Sequence, residues 1–142
     1  EKSEVAIASE LAAKIYKLDV LKSNVEDQPG ANITRFLVLG KEFKHPEFSK
    51  ENNFITSCFF ELKSIPSALY KALGSFSGYG INLCRLESFS VQNTFKQVSF
   101  YIEIEKHIED PIMQKALEEL GFHTQELTIL GCYKASPYRF NN

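Results

Sequence analysis

The sequence predicts an α+β domain of the ferredoxin-like kind: β-α-β-β-α-β from Phe54 onward, a four-stranded antiparallel sheet with both helices on one face. Three observations predict it. A helix, a glycine stop and a strand follow one another twice, over 65–89 and again over 110–133. Residues 96–105 alternate, with Val98, Phe100, Ile102 and Ile104 on one side and Gln97, Ser99, Tyr101, Glu103 and Glu105 on the other. Asp110 followed by Pro111 is an N-cap and first-turn pair that opens the second helix.

Composition bounds the function. At 142 residues the chain holds one domain, or a small one plus part of another. Its 44% hydrophobic and 24% charged residues are those of a globular protein, and a net charge of -2 gives no electrostatic reason to expect nucleic acid or an acidic membrane surface as partner. No apolar run approaches the roughly 20 residues of a membrane-spanning helix. The opening Glu1-Lys2-Ser3 reads as the start of a fragment or processed product. Cys58, Cys84 and Cys132 are odd in number and widely spaced, which reads as reduced core or half-buried thiols. His45, His107 and His123 are equally scattered and read as surface or packing residues, so no metal site is expected.

In chain order, Ser3 to Leu18 reads as a helix with Ile7, Leu11, Ile15 and Leu18 on one face. Its other side is also small and apolar, as in a helix built into a larger body. After a polar loop ending at Gln28-Pro29-Gly30, Asn32 to Gly40 has the composition of a buried strand. Lys41 to Asn53 reads as a linker and carries the expected domain boundary. Phe54 to Leu62 is the first strand of the sheet. Ile65 to Ser77 is an amphipathic helix: Pro66 suits its first position, Leu69, Ala72, Leu73 and Phe76 share a face, and Gly78 and Gly80 end it. Ile81 to Phe89 is a strand, Ser90 to Thr94 a loop and Lys96 to Glu105 the alternating strand. Met113, Ala116, Leu117 and Leu120 form the inner face of a helix that Gly121 stops, and Leu127 to Tyr133 is the last strand. The tail from Ser136 is expected to fray. Such a sheet leaves one face and its edges uncovered, which is a reason to expect two modules side by side with a ligand site at their seam.

Two stretches go beyond fold class. Asn32-Ile33-Thr34-Arg35-Phe36 resembles the Asn-x-Thr-Arg-Phe signature near the end of the prephenate dehydratase catalytic domain. Ile65 to Ser90 is similar to the phenylalanine-binding segment of that family's C-terminal ACT domain, whose motifs read Gly-Ala-Leu and Asn-Leu…Glu-Ser-Arg-Pro. Here those positions hold Ser67-Ala68-Leu69 and Asn82-Leu83…Glu87-Ser88-Phe89-Ser90. The helix Ala6 to Leu18 and Leu130-Gly131-Cys132-Tyr133 extend the likeness along the chain.

The resemblance implies the end of an α/β, periplasmic-binding-protein-like catalytic domain over 1–45 and an ACT regulatory domain over 53–135. It implies a cytoplasmic lyase, without cofactor, that converts prephenate to phenylpyruvate, carbon dioxide and water in phenylalanine biosynthesis. Thr34 would assist departure of the ring hydroxyl by hydrogen bonding, Arg35 would clamp a substrate carboxylate through two N–H···O bonds, and Phe36 would pack. One Thr-Arg pair does not make a pocket, so this piece alone is expected to be inactive. L-Phenylalanine would bind as effector across an ACT dimer, within a dimer or a tetramer. Asn82 and Leu83 would hold its polar ends, and Ala68 and Leu69 its ring, with Ser67, Glu87 and Ser88 lining the site. Two departures stand out: Phe89-Ser90 replaces Arg-Pro, and Ser67 replaces a glycine.

Other readings of the same residues stay open. Thr34 and Arg35 also fit the start of a strand with a surface ion pair, and Asn32-Ile33-Thr34 fits a glycosylation pattern. Leu69 and Leu83 also fit ordinary core, with Asn82 a turn residue. At the level of function the alternatives are a non-catalytic amino-acid-binding ACT protein and a regulatory segment of an aromatic amino-acid hydroxylase. The Thr-Arg-Phe stretch argues against the hydroxylase.

Overall fold

The computed structural model describes residues 4–28, 33–42, 44–63, 65–90 and 98–140. It divides into two units, Glu1–Leu39 and Gly40–Asn142. In the first, α1 (Glu10–Tyr16) is shorter than its apolar period predicts. Ser9 caps its start by accepting the Ala12 N–H at 3.2 Å, and Lys17 ends it in the left-handed region at φ 55°. No residue of α1 is buried, and Ile7, Leu11, Ile15 and Leu18 all face solvent. The strand expected over 32–40 is not formed: 33–40 carry no regular structure, and Asn32 lies outside the described residues. A strand exists only by pairing, and apolar composition does not supply a partner.

The second unit runs β1 (Phe54–Leu62), α2 (Ala68–Ser77), β2 (Leu83–Ser90), β3 (Val98–Ile104), α3 (Pro111–His123) and β4 (Thr124–Lys134). The strands pair antiparallel in the order β2-β3-β1-β4, which is the predicted ferredoxin-like arrangement. The alternation in β3 delivers Phe100, Ile102 and Ile104 to the core. There they meet Cys58 and Phe60 of β1, Ala72 and Phe76 of α2, and Met113, Ala116 and Leu120 of α3. The Phe60 and Phe100 rings stack at 5.5 Å. Asp110 caps α3 by accepting the Ile112 N–H at 2.8 Å.

Local differences from the sequence reading have physical causes. Pro66 lies before α2 rather than in its first turn, because Ser67 takes a left-handed conformation (φ 62°) that delays the helix to Ala68. Of the two glycines after α2, only Gly80 has positive φ, at 64°. Gly121 does not stop α3, which continues to His123. Lys63, at the end of β1, satisfies its last carbonyls: its N–H reaches His123 O at 3.4 Å and its Nζ reaches Phe122 O at 2.8 Å. Part of the expected linker is packed rather than free. Phe48 lies 5.3 Å from the buried His107 ring, and Pro46 O accepts from His107 Nε2 at 2.8 Å. Of the tail expected to fray, Pro137–Phe140 form a 3-10 turn, and Asn141 and Asn142 lie outside the described residues.

Candidate functional site

The α2–β2 connection is a tight turn in which the N–H groups of Gly78 to Ile81 all donate to backbone carbonyls. Phe76 O accepts from Ile81 N at 3.0 Å, and Gly80 makes the left-handed step between them. Asn82 is then bound twice to one residue of the neighbouring strand end. Its carbonyl accepts from Glu105 N at 3.0 Å, and its Nδ2 donates to Glu105 Oε2 at 2.6 Å. Directly after it the β2–β3 register slips, since Leu83 faces Ile104 while Arg85 faces Glu103. Cys84 is the extra residue, a β-bulge.

The structure divides the residues expected to bind an effector. Ala68 is buried and Leu69 packs on the core at the start of α2, with Ser67 exposed just before them. Asn82 and Leu83 follow the other end of the same helix. Ten helical residues rise about 15 Å, so the two groups lie at opposite ends of α2. Residues opposite one another in a sheet share a face. Leu83, opposite Ile104, and Ser88, opposite Phe100, are therefore on the helix face. Glu87, opposite Tyr101, is on the other face, where it takes a bond from Arg85 Nε at 2.6 Å.

That other face holds a polar cluster whose cover alternation alone did not identify. Glu103 and Ser99 are both completely buried. Glu103 Oε2 accepts from Arg139 Nη2 at 2.9 Å, and Glu103 Oε1 accepts from Tyr101 OH at 2.6 Å. Ser57 Oγ lies 3.3 Å from Tyr101 OH and 3.1 Å from Tyr133 OH. Burial and the bond to Glu103 push the Tyr101 hydroxyl above its ordinary range. Cys84 Sγ lies 3.3 Å from Arg139 Nη1. Its thiol is raised by burial and by Glu103 and Glu105, against the pull of Arg139. Arg139 was beyond sequence reasoning because it arrives from the tail, 36 residues after Glu103.

Thr34, Arg35 and Phe36 are exposed in the first unit, Phe36 by 85%, and no regular element holds them. Two surface cavities, of about 380 and 390 Å³, are lined by none of the expected site residues. Ligand atoms of His45, His107 and Glu109 converge within 4.8 Å, a grouping that separations in sequence do not announce. His107 Nδ1 accepts from Glu109 N at 3.1 Å, so its Nε2 carries the proton donated to Pro46 O. Both ring nitrogens are engaged, and an ion there would have to break a bond to coordinate.

Residues 1–44 match the family described as prephenate dehydratase. Over 97% of its length the chain is 39% identical to a bifunctional N-acyl-homoserine lactone acylase/prephenate dehydratase of Komagataeibacter europaeus, covering 48% of that protein. Over 90% of its length it is 42% identical to a bifunctional chorismate mutase/prephenate dehydratase of Aquifex aeolicus, covering 34%. Along nine tenths or more of its length the chain is thus similar to proteins named as prephenate dehydratases. A solved prephenate dehydratase from Arthrobacter aurescens, in complex with L-Phe, superimposes with a TM-score of 0.58 at 26% identity, over 66% of this chain and 30% of that one.

The chain thus spans less than half the length of these prephenate dehydratase relatives. The positions that depart from the family motifs fall at the two ends of one region. Ser67 precedes α2, while Phe89 and Ser90 close β2, with Phe89 half exposed. Among the described residues no helix is long and apolar enough to cross a membrane.

Proposed function

We propose that residues 53–135 form an ACT regulatory module, and that residues 1–45 are the end of the catalytic domain of a cytoplasmic prephenate dehydratase. In the whole protein Thr34 and Arg35 would serve dehydration and decarboxylation of prephenate, and the module would bind L-phenylalanine as feedback effector. The exposure of α1 and of the Thr34–Phe36 stretch supports a segment whose partners lie elsewhere in the catalytic domain. The L-Phe complex of the Arthrobacter relative supports the choice of ligand.

One observation carries the reading. Ser67–Leu69 and Asn82–Leu83 sit at opposite ends of a helix about 15 Å long, further apart than one phenylalanine can bridge. Two copies remove the difficulty. β2 is an edge strand, and antiparallel pairing of β2 with its twin would extend the sheet. It would also set Asn82 and Leu83 of one copy beside Ser88 and the start of α2 of the other. Leu69 and Ala68 then meet the ring, and Asn82 and Leu83 the zwitterion, from different subunits. Glu87, on the far face, supports β2 through Arg85 rather than lining the pocket. A homodimer is therefore the minimum unit.

Titration calorimetry with L-phenylalanine tests this. The 142-residue chain is expected to bind it as a dimer, and Asn82→Ala to lose the heat. A folded dimer that gives no heat with millimolar L-phenylalanine contradicts the proposal.

A further inference from the structure

We infer that the C-terminal turn, Pro137–Phe140, is a strap that positions the α2–β2 turn through Arg139; this rests on the reading of that turn as an amino-acid site. Cys84 is the one residue of β2 without a register partner on β3, and it directly follows Asn82 and Leu83. A bulge re-aims the side chains beside it, so whatever fixes Cys84 fixes where those two residues point.

Arg139 fixes it. The guanidinium spans two strands, with Nη1 3.3 Å from Cys84 Sγ and Nη2 2.9 Å from Glu103 Oε2. Cys84 Sγ also approaches Glu103 O at 3.5 Å. Glu103 is wholly buried, and a buried carboxylate that loses a charged donor is strongly disfavoured, so the tail stays docked while that pair persists. Two residues further along the chain, Glu105 holds Asn82 through both hydrogen bonds, its N–H donating to Asn82 O and its Oε2 accepting from Asn82 Nδ2. The span 103–105 therefore holds the tail through Glu103 and the effector turn through Glu105, with the bulge between. Arg139 touches no ligand. It is a positioning residue that acts through Cys84 and Glu103, and it makes the last turn of the chain part of the effector site.

Arg139→Ala, Arg139→Lys and, as a control for stability alone, Lys63→Ala at the far end of α3 test this in the full chain. L-Phenylalanine affinity is measured by calorimetry well below each variant's Tm. The alkylation rate of Cys84 is followed with iodoacetamide, Cys58 and Cys132 being buried. If release of the strap leaves the turn competent in about a tenth of molecules, Arg139→Ala binds about tenfold more weakly. Its Cys84 is alkylated faster. Arg139→Lys regains part of the affinity, since an ammonium pairs with Glu103 but does not span to the thiol. Lys63→Ala lowers Tm and leaves affinity unchanged. Wild-type affinity in both Arg139 variants overturns the inference while the ligand reading stands. Should Arg139→Ala fail to fold, Arg139→Lys decides: weaker binding than wild type supports the strap, and equal binding overturns it. A wild-type chain that binds no L-phenylalanine removes the ligand reading, and the strap's role with it.

Discussion

Ser67 holds a left-handed backbone (φ 62°) with no side-chain cap bond to offset the strain, at a position where the related motif carries glycine. A Cβ in that region is unfavourable by about 1–2 kcal/mol, part of which glycine returns through its larger unfolded-state entropy. Ser67→Gly is expected to raise the free energy of unfolding by up to about 1 kcal/mol in urea titrations. A second residue sets a pH limit. Burial pushes the Cys58 thiol from 9.0 up to about 12. The unfolded thiol ionises near 9.0 while the folded one keeps its proton, so in that window the folded state binds more protons. Stability fully present below pH 9.0 is therefore lost as pH rises through about 12. Urea denaturation at stepped pH should show that decline, and Cys58→Ala should make it shallower. An unchanged slope contradicts the assignment to Cys58.

At the scale of elements, what the sequence made legible was what local chemistry decides alone. The i, i+3, i+4, i+7 spacing of Met113, Ala116, Leu117 and Leu120 and the cap at Asp110 are local, and α3 follows from them. Alternation in β3 located the core face correctly. It left open what covers the other face, because period 2 separates two faces without saying what covers each. Glu103 is buried there because a tail 36 residues away supplies Arg139. The same reason accounts for Gly121: a glycine that would end an isolated helix is carried through when Lys63 caps the carbonyls beyond it. The apolar stretch after Asn32 failed the opposite way, with strand composition and no ladder to join. For the candidate site, motif resemblance named the residues and implied a site across a dimer, and the helix that separates Leu69 from Asn82 supports that reading.

At the scale of the molecule, the ferredoxin-like sheet has its helix face filled and its far face strapped by the tail, and β2 remains as an edge. An eight-residue edge strand is a template for pairing with a second copy. The proposed feedback regulation would need a differential affinity of L-phenylalanine for two arrangements of paired modules. The central claim is that each effector pocket takes half its residues from each chain. Subunit complementation measures it most directly: Leu69→Ala and Asn82→Ala chains, each defective in binding, are co-refolded and titrated with L-phenylalanine. Two-chain pockets predict that the mixture regains wild-type-affinity sites, about one for every four present, because each mixed dimer contains one intact pocket. A mixture as silent as its two parents would place the whole pocket within one chain and contradict the account.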